Sequence, residues 1–230
     1  MNNLILETKG LGKSYHSVST GSVDVLKNVD FQLIEGKISY VLGRSGVGKS
    51  TLLHLLGGLD KPSAGDVLFQ GKSLLGLNDT ELSEFRNKEV GFVFQFYHLL
   101  PELTLLENVT MPLMIAKNGG SKKEAKEKAA KLIKRVGLDH RVKHLPSQMS
   151  GGEQQRAAIA RALVNEPQVV LCDEPTGNLD EENAKIVYDL IDSLNQDDGV
   201  TFCVVTHEQS FVQGKPNVYS LTGSGLSLQA

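Results

Sequence analysis

Eight residues constrain this chain more than any others: Gly43-Arg-Ser-Gly-Val-Gly-Lys49-Ser50, in the pattern G-x-x-x-x-G-K-S. The run before them, Ile38 to Leu42, is apolar and stops at glycine, the form of a strand buried on both faces. A helix begins near Lys49 and runs through Leu-Leu-His-Leu-Leu, and Gly57 and Gly58 end it. A loop in that setting turns its backbone N–H groups inward around phosphate oxygens, and the helix N-terminus adds a partial positive charge. Lys49 is placed to reach the outer phosphates of a nucleotide, and the Ser50 hydroxyl to ligate Mg²⁺. The expected nucleotide-binding set is therefore Gly43, Arg44, Ser45, Gly46, Val47, Gly48, Lys49, Ser50 and Thr51.

The rest of the chain has to supply a sheet and its covering helices. Strands are expected at Leu4 to Thr8, at Val23 to Ile34 with a possible bend at Asn28, at Val67 to Gln70, and at Gly91 to Phe94. Asp79 or Thr80 is expected to cap a helix reaching about Asn87. From about Thr104 to Lys143 the texture is helical and holds no good strand. There Ser121-Lys-Lys-Glu124 forms a capping box before a Lys- and Ala-rich helix ending at Gly137. Strands return at Val169 to Cys172 and Thr201 to Val205, with a helix from about Glu181 to Asn195 between them. This alternation predicts an α/β fold with a mainly parallel sheet interrupted by a helical insertion.

Composition sets outer limits. With 230 residues, 40% hydrophobic and 22% charged, the chain is long enough for a sizeable core and too apolar for disorder. The formal net charge of −3 makes no demand for a nucleic-acid partner. Cys172 and Cys203 lie in apolar strand-like runs and are expected as free thiols of a reducing compartment. The opening residues lack a basic segment followed by a long apolar one, so no signal peptide is expected. No stretch reaches about 18 uncharged apolar residues, so a membrane span is not expected either.

Two further motifs carry chemistry. Val169-Val-Leu-Cys-Asp173-Glu174 is an apolar strand ending in two acids, and such an end faces the ligand crevice of a parallel sheet. Asp173 can hold Mg²⁺ through water, and Glu174 can act as general base on a water in line with the γ-phosphate. Ser150-Gly151-Gly152-Glu153 opens a helix as a second capping box whose glycines expose amides, a second anion site. One nucleotide cannot easily use two helix starts so far apart. The second start is therefore expected to face a nucleotide held by another copy, in a head-to-tail dimer with ATP between the subunits.

In this order the phosphate loop, the Ser-Gly-Gly-Glu signature and the Asp-Glu pair resemble an ABC-type ATPase, a P-loop NTPase whose parallel core carries an antiparallel β subdomain. The resemblance covers nearly the whole chain and implies one domain over 1–230, with about 1–94 and 165–230 as core and about 95–164 as a helical subdomain bearing the signature. It further implies that Tyr15 stacks on adenine, that Gln95 touches Mg²⁺ and links core to helices, that Asn178, Leu179 and Asp180 form a loop crossing the dimer interface, and that His207 contacts the γ-phosphate. The signature departs from the commonest form, Leu-Ser-Gly-Gly-Gln. Met149 replaces Leu, a tolerant apolar exchange, and Glu153 replaces Gln, a negative charge beside an expected phosphate site.

Several stretches place the resemblance in the branch of lipoprotein-releasing ATPases, beside MacB-like exporters and FtsE-like ATPases that signal to cell-wall hydrolases. They are Ser50 to Asp60, Gly91 to Pro101 with Glu107-Asn108-Val109, Val136 to Arg141, and Ala162 to Asn165. Such an ATPase would sit peripherally on the cytoplasmic face of the inner membrane. It would serve two permease subunits of the LolC/LolE type, act on lipoprotein cargo indirectly, and bind no nucleic acid. Phe96, Tyr97, Leu99 and Leu100 follow Gln95 without helical period. A loop this apolar packs under the helices or forms a groove, and the resemblance favours a groove for a short permease helix. The Lys-rich helix from Ser121 to Arg135 reads as a solvated face of mixed charge, with attraction to acidic lipid headgroups as the alternative.

Overall fold

The computed structural model describes residues 3–17, 21–116, 120–223 and 225–229. The expected helical texture at 117–119 and positions 1, 2, 224 and 230 lie outside the described residues. The chain begins with β1 (Leu4–Ser17), β2 (Gly21–Ile34), β3 (Ile38–Leu42), α1 (Lys49–Leu56), β4 (Ala64–Phe69), β5 (Lys72–Ser73), α2 (Asp79–Lys88) and β6 (Val90–Val93). Helices α3 (Leu105–Ile115), α4 (Lys122–Arg135) and α5 (Gly151–Leu163) follow. It continues through β7 (Val169–Asp173), α6 (Glu181–Asp198), β8 (Phe202–Thr206), β9 (Val218–Thr222) and β10 (Gly225–Leu228).

Among the described residues the strands form two sheets. One runs β10-β9-β3-β8-β7-β6, with β9 through β6 parallel and β10 antiparallel at the edge. In that sheet Leu42 is paired with Thr206 and Asp173 with Val205. The C-terminal ends of β3, β7 and β8 thus line up, and the loops leaving them share one crevice. The other sheet is antiparallel, in order β2-β1-β4-β5.

Apolar clusters explain the layering. One cluster joins the antiparallel sheet to α1 and one face of the parallel sheet, through residues such as Phe31, Leu52, Leu56, Leu171 and Val205. A second covers the opposite face with α5 and α6, through Ile159, Val187, Ile191 and Val204. Because alternate strand residues face opposite ways, Cys203 joins the first cluster and Cys172 the second, and both are free buried thiols. A third cluster is formed by α3, α4 and α5, with Val109, Ile133, Met149 and Ala157 at its centre.

Several local expectations are corrected. β1 does not stop at Thr8. It runs on to Ser17, because irregular register between Thr8 and Lys13 absorbs the break in apolar alternation at Gly10 and Gly12. The Thr8 hydroxyl bridges that step, donating to the Val29 carbonyl at 2.8 Å and accepting from the Phe31 amide at 2.9 Å. β2 begins at Gly21 and does bend at Asn28, where φ is +48°. β4 starts earlier than expected, at Ala64, and ends at Phe69 because Gln70 takes φ +48° to enter a turn. The cap of α2 is Asn78, not Asp79 or Thr80: its side chain accepts the Thr80 and Glu81 amides while Glu81 accepts the Asn78 amide. β9 and β10 pair antiparallel at one edge of the larger sheet.

Candidate nucleotide site

The loop between β3 and α1 is built as its spacing requires. Gly48 precedes α1 at φ +107°, and a Cβ there would lie 2.9 Å from Val25 Cγ1. Only glycine combines that dihedral with so close an approach to β2. The Lys49 side chain is 4% exposed, and each of its three donors has a partner. It donates to the Gly43 carbonyl at 2.9 Å and the Arg44 carbonyl at 3.2 Å, and its Nζ lies 3.0 Å from Glu174 Oε1. A buried ammonium is tolerated because all of it is paired.

Glu174 is thus held from two sides. Its other oxygen, Oε2, is 3.0 Å from His207 Nδ1. The Glu174 backbone is itself in a sparsely populated conformation, φ +43°, anchored by its amide to the Val205 carbonyl at 2.9 Å. Strain of this kind costs on the order of 1–3 kcal/mol and persists where surrounding structure dictates the position.

Asp173 ends β7 beside Ser50. Burial pushes its carboxyl upward, opposed by a hydrogen bond from Ser50 and by the charges of His54 and Lys49. Its Oδ1 is buried and has no hydrogen-bond partner. An orphaned carboxylate oxygen next to a hydroxyl, under a phosphate loop, suits a hard divalent cation that keeps most of its water shell. Among the described residues no group of three or more His, Cys, Asp or Glu side chains is gathered as a metal cage.

The remaining expected residues are held by contacts of their own. Tyr15 lies on β1, paired with Val23. Its hydroxyl donates to Asp60 Oδ2 at 2.9 Å, and the Lys13 ammonium sits 4.8 Å from its ring centroid. Lys13 also pairs with Asp60 Oδ1 at 2.7 Å, so one carboxylate fixes both side chains beside the start of α1. Thr51 is the further hydrogen-bond neighbour of the Tyr15 hydroxyl, which burial and Asp60 raise above its ordinary pKa. Gln95 is engaged with the loop after β7: its Nε2 donates to Asn178 Oδ1 at 3.2 Å, and Asn178 Nδ2 donates to the Gln95 carbonyl at 3.0 Å. Asp180 caps α6 by accepting the Asn183 amide at 2.8 Å.

Ser150 caps α5 in the expected box, with Glu153 returning to the Ser150 amide at 2.8 Å. Gly152 faces α6 so closely that a Cβ would lie 2.3 Å from Asn183 Oδ1. Met149 is buried in the cluster of α3, α4 and α5. The negative charge that Glu153 brings is compensated: Arg141 Nε reaches its Oε1 at 2.8 Å.

The four loop residues expected at a groove differ in their exposure. Phe96 is 69% exposed and Leu100 is exposed, whereas Leu99 packs on the helical cluster. Tyr97 is half-buried and directs its hydroxyl at Gly151. A cleft of about 430 Å³ does open nearby, but Leu59, Arg86, Phe92, Phe94, Pro112 and Ile115 are among its lining and none of the four is. Sequence reasoning missed the residues that shape this region. Asn108, 1% exposed, accepts the Leu100 amide and donates to the carbonyls of Leu100, Leu103 and Thr104. Arg161 of α5 donates to the Tyr97 and His98 carbonyls, whose residues take φ of +58° and +49°. The conspicuous signal for Asn108 was an uncharged polar residue inside an apolar helix, just after a Thr-x-x-Glu box.

Comparison with known proteins gives the chain's family and fold relatives. The profile of the ABC transporter family matches residues 26–177. The chain is 54% identical over 208 residues to the lipoprotein-releasing system ATP-binding protein LolD of Idiomarina loihiensis, covering 90% of each. Its fold is similar to a dimeric post-hydrolysis state of the ATP-binding cassette MJ0796 bound to ADP and Pi, with TM-score 0.88, 37% identity and 97% of each chain covered. It is equally similar to a second dimeric structure of MJ0796, described as a bacterial ABC transporter cassette, with TM-score 0.88, 38% identity and 96% of each chain covered.

Proposed function

The chain belongs to the ABC transporter family and is an ATP-binding ATPase, and on that premise we propose that it is the motor subunit of an inner-membrane transporter that releases lipoproteins toward the outer membrane. The observation that carries the lipoprotein reading is the 54% identity, across nine-tenths of both chains, to a lipoprotein-releasing ATP-binding protein. Among the described residues no helix is long and apolar enough to cross a membrane. In this reading the chain acts from the cytoplasmic face, through two permease subunits of the LolC/LolE type, as its likeness to a lipoprotein-releasing system's ATP-binding protein supports.

The chemistry follows from the Lys49–Glu174–His207 constellation. The loop amides of Gly43 to Ser50 and the α1 N-terminus receive the phosphates, and Tyr15 presents its ring to the base. An incoming γ-phosphate competes with Glu174 for the Lys49 ammonium. Once Lys49 turns to phosphate, the Glu174 carboxylate is free to accept a proton from water and orient it for in-line attack. His207 follows the same exchange, leaving Glu174 for the phosphate. Ser50 and Asp173, with Gln95, are the residues that would hold Mg²⁺. When bound, the ion would supply neutralisation of the phosphate charge.

Two copies pair head to tail, so that Ser150 to Glu153 of one meets the nucleotide of the other, with Asn178, Leu179 and Asp180 at the seam. The helices of about 95–164 then move against the core as the pair closes. The cleft between α2, the end of α3 and α5 seats a cytoplasmic permease helix by its apolar side. Purification of the tagged chain from gently solubilised membranes, followed by mass spectrometry, tests this. Two related permease subunits with lipoproteins are expected; ribosomes or DNA without membrane protein would refute it.

A further inference from the structure

Glu153 stands in the first turn of the helix assigned above to the second copy's nucleotide, where a bare carboxylate would repel an incoming phosphate and quench the helix N-terminus. The capping box occupies one of its oxygens, Oε2, with the Ser150 amide. Oε1 is taken by Arg141 Nε at 2.8 Å, with His140 Nε2 3.7 Å away. Arg141 is itself set by His144, whose Nε2 lies 3.2 Å from its Nη1. The Glu153 side chain is 13% exposed and that of Arg141 33%, so the pair is sheltered and short. A charge-assisted contact of that kind is stronger than a solvated surface pair. Burial raises the Glu153 carboxyl, and the Ser150 amide and Arg141 outweigh it, which keeps Glu153 below the usual carboxylate range.

We propose that Arg141 is a positioning residue for the trans nucleotide: it neutralises Glu153 and holds the carboxylate back against the cap, so that the start of α5 stays receptive to the γ-phosphate of a second copy. Arg141 lies on a 3₁₀ turn, Asp139–Arg141, outside every motif of the nucleotide site. The proposal rests on the dimer reading given above. It accounts for how a glutamate is accommodated where a neutral glutamine is common.

The test measures the ATP concentration that gives half-maximal dimer, by size exclusion with light scattering, in four proteins that all carry Glu174→Gln. They are the parent, Arg141→Ala, Glu153→Gln and the double variant. Arg141→Ala is expected to raise that concentration roughly tenfold, and Glu153→Gln to lower it about threefold, because the cation then stands unpaired near phosphate. The double variant returns to within about twofold of the parent. A purely structural Arg141 would leave the double variant as impaired as Arg141→Ala, which overturns the proposal, as does an Arg141→Ala protein that matches its parent. A parent that stays monomeric at every ATP concentration overturns the dimer reading and the proposal with it. A dimerising parent with no rescue overturns the proposal alone.

Discussion

Glu174 has its carboxylate divided between Lys49 and His207 and its backbone at a positive φ. In the proposed mechanism each partner is a group that a γ-phosphate draws away, so the same contacts that restrain Glu174 before binding release it afterwards. Glu174→Gln keeps the shape and loses the proton acceptor. It is expected to retain ATP binding while hydrolysis falls by about 10²–10³ and the closed dimer accumulates. Turnover near the wild-type rate, in a phosphate-release assay, would remove Glu174 from its role. The residue types were legible from pattern and setting, the G-x-x-x-x-G-K-S loop by the strand before it and the helix after it, and the Asp-Glu strand end by its company with that loop. Their pairing was not legible, because Lys49 and Glu174 meet only through the order of β3, β8 and β7. Gln95 shows the same limit: its type fitted a metal ligand, while its hydrogen bonds run to Asn178.

Among the elements, helix starts carry most of the local information. Ser121 and Ser150 cap as their boxes predict, and Thr104 with Glu107 forms another box that the sequence reading passed over. Hydrogen bonds from Thr104 hold Glu107 below its ordinary value of 4.5, and those from Ser121 do the same for Glu124. A lowered carboxylate contributes stability that is complete above its unfolded pKa and lost as pH falls through the folded one. The melting temperature is therefore expected to hold from pH 7 to about 5 and then fall; a flat profile to pH 3 would contradict this. Asp173, raised by burial, runs the other way and softens the fall. Asn108 is the buried staple of the loop before α3. Asn108→Ala is expected to cost about 2 kcal/mol by leaving loop groups unpaired, a drop of about 4–8 °C in melting temperature, which calorimetry would read. The short strands and hairpin at the chain's end stayed illegible because their pairing is set by distant partners: β9 lies against β3, and the Tyr219 hydroxyl donates to the Gln32 carbonyl.

At the scale of the whole molecule, one parallel sheet brings the chemistry to its C-terminal edge, and a separate apolar cluster gives α3, α4 and α5 a packing of their own. The cleft beside that cluster is the proposed seat of the permease helix. Ile115 is 71% exposed on its rim. Ile115→Glu is expected to leave the ATPase of the isolated chain within about twofold, since surface exchanges away from a site change little, while permease subunits no longer copurify. Retained copurification would move the docking site elsewhere. The sequence offered the apolar residues after Gln95 as a groove, whereas this cleft's walls come from α2, β6 and the ends of α3 and α5 together, which no local pattern announces. The most direct test of the motor reading is reconstitution of the chain with its two permease subunits in lipoprotein-loaded vesicles. MgATP is expected to release lipoprotein to a soluble acceptor, and Glu174→Gln to abolish release while still binding ATP. Release that continues undiminished with Glu174→Gln, or ATP hydrolysis with no release at all, would contradict the account.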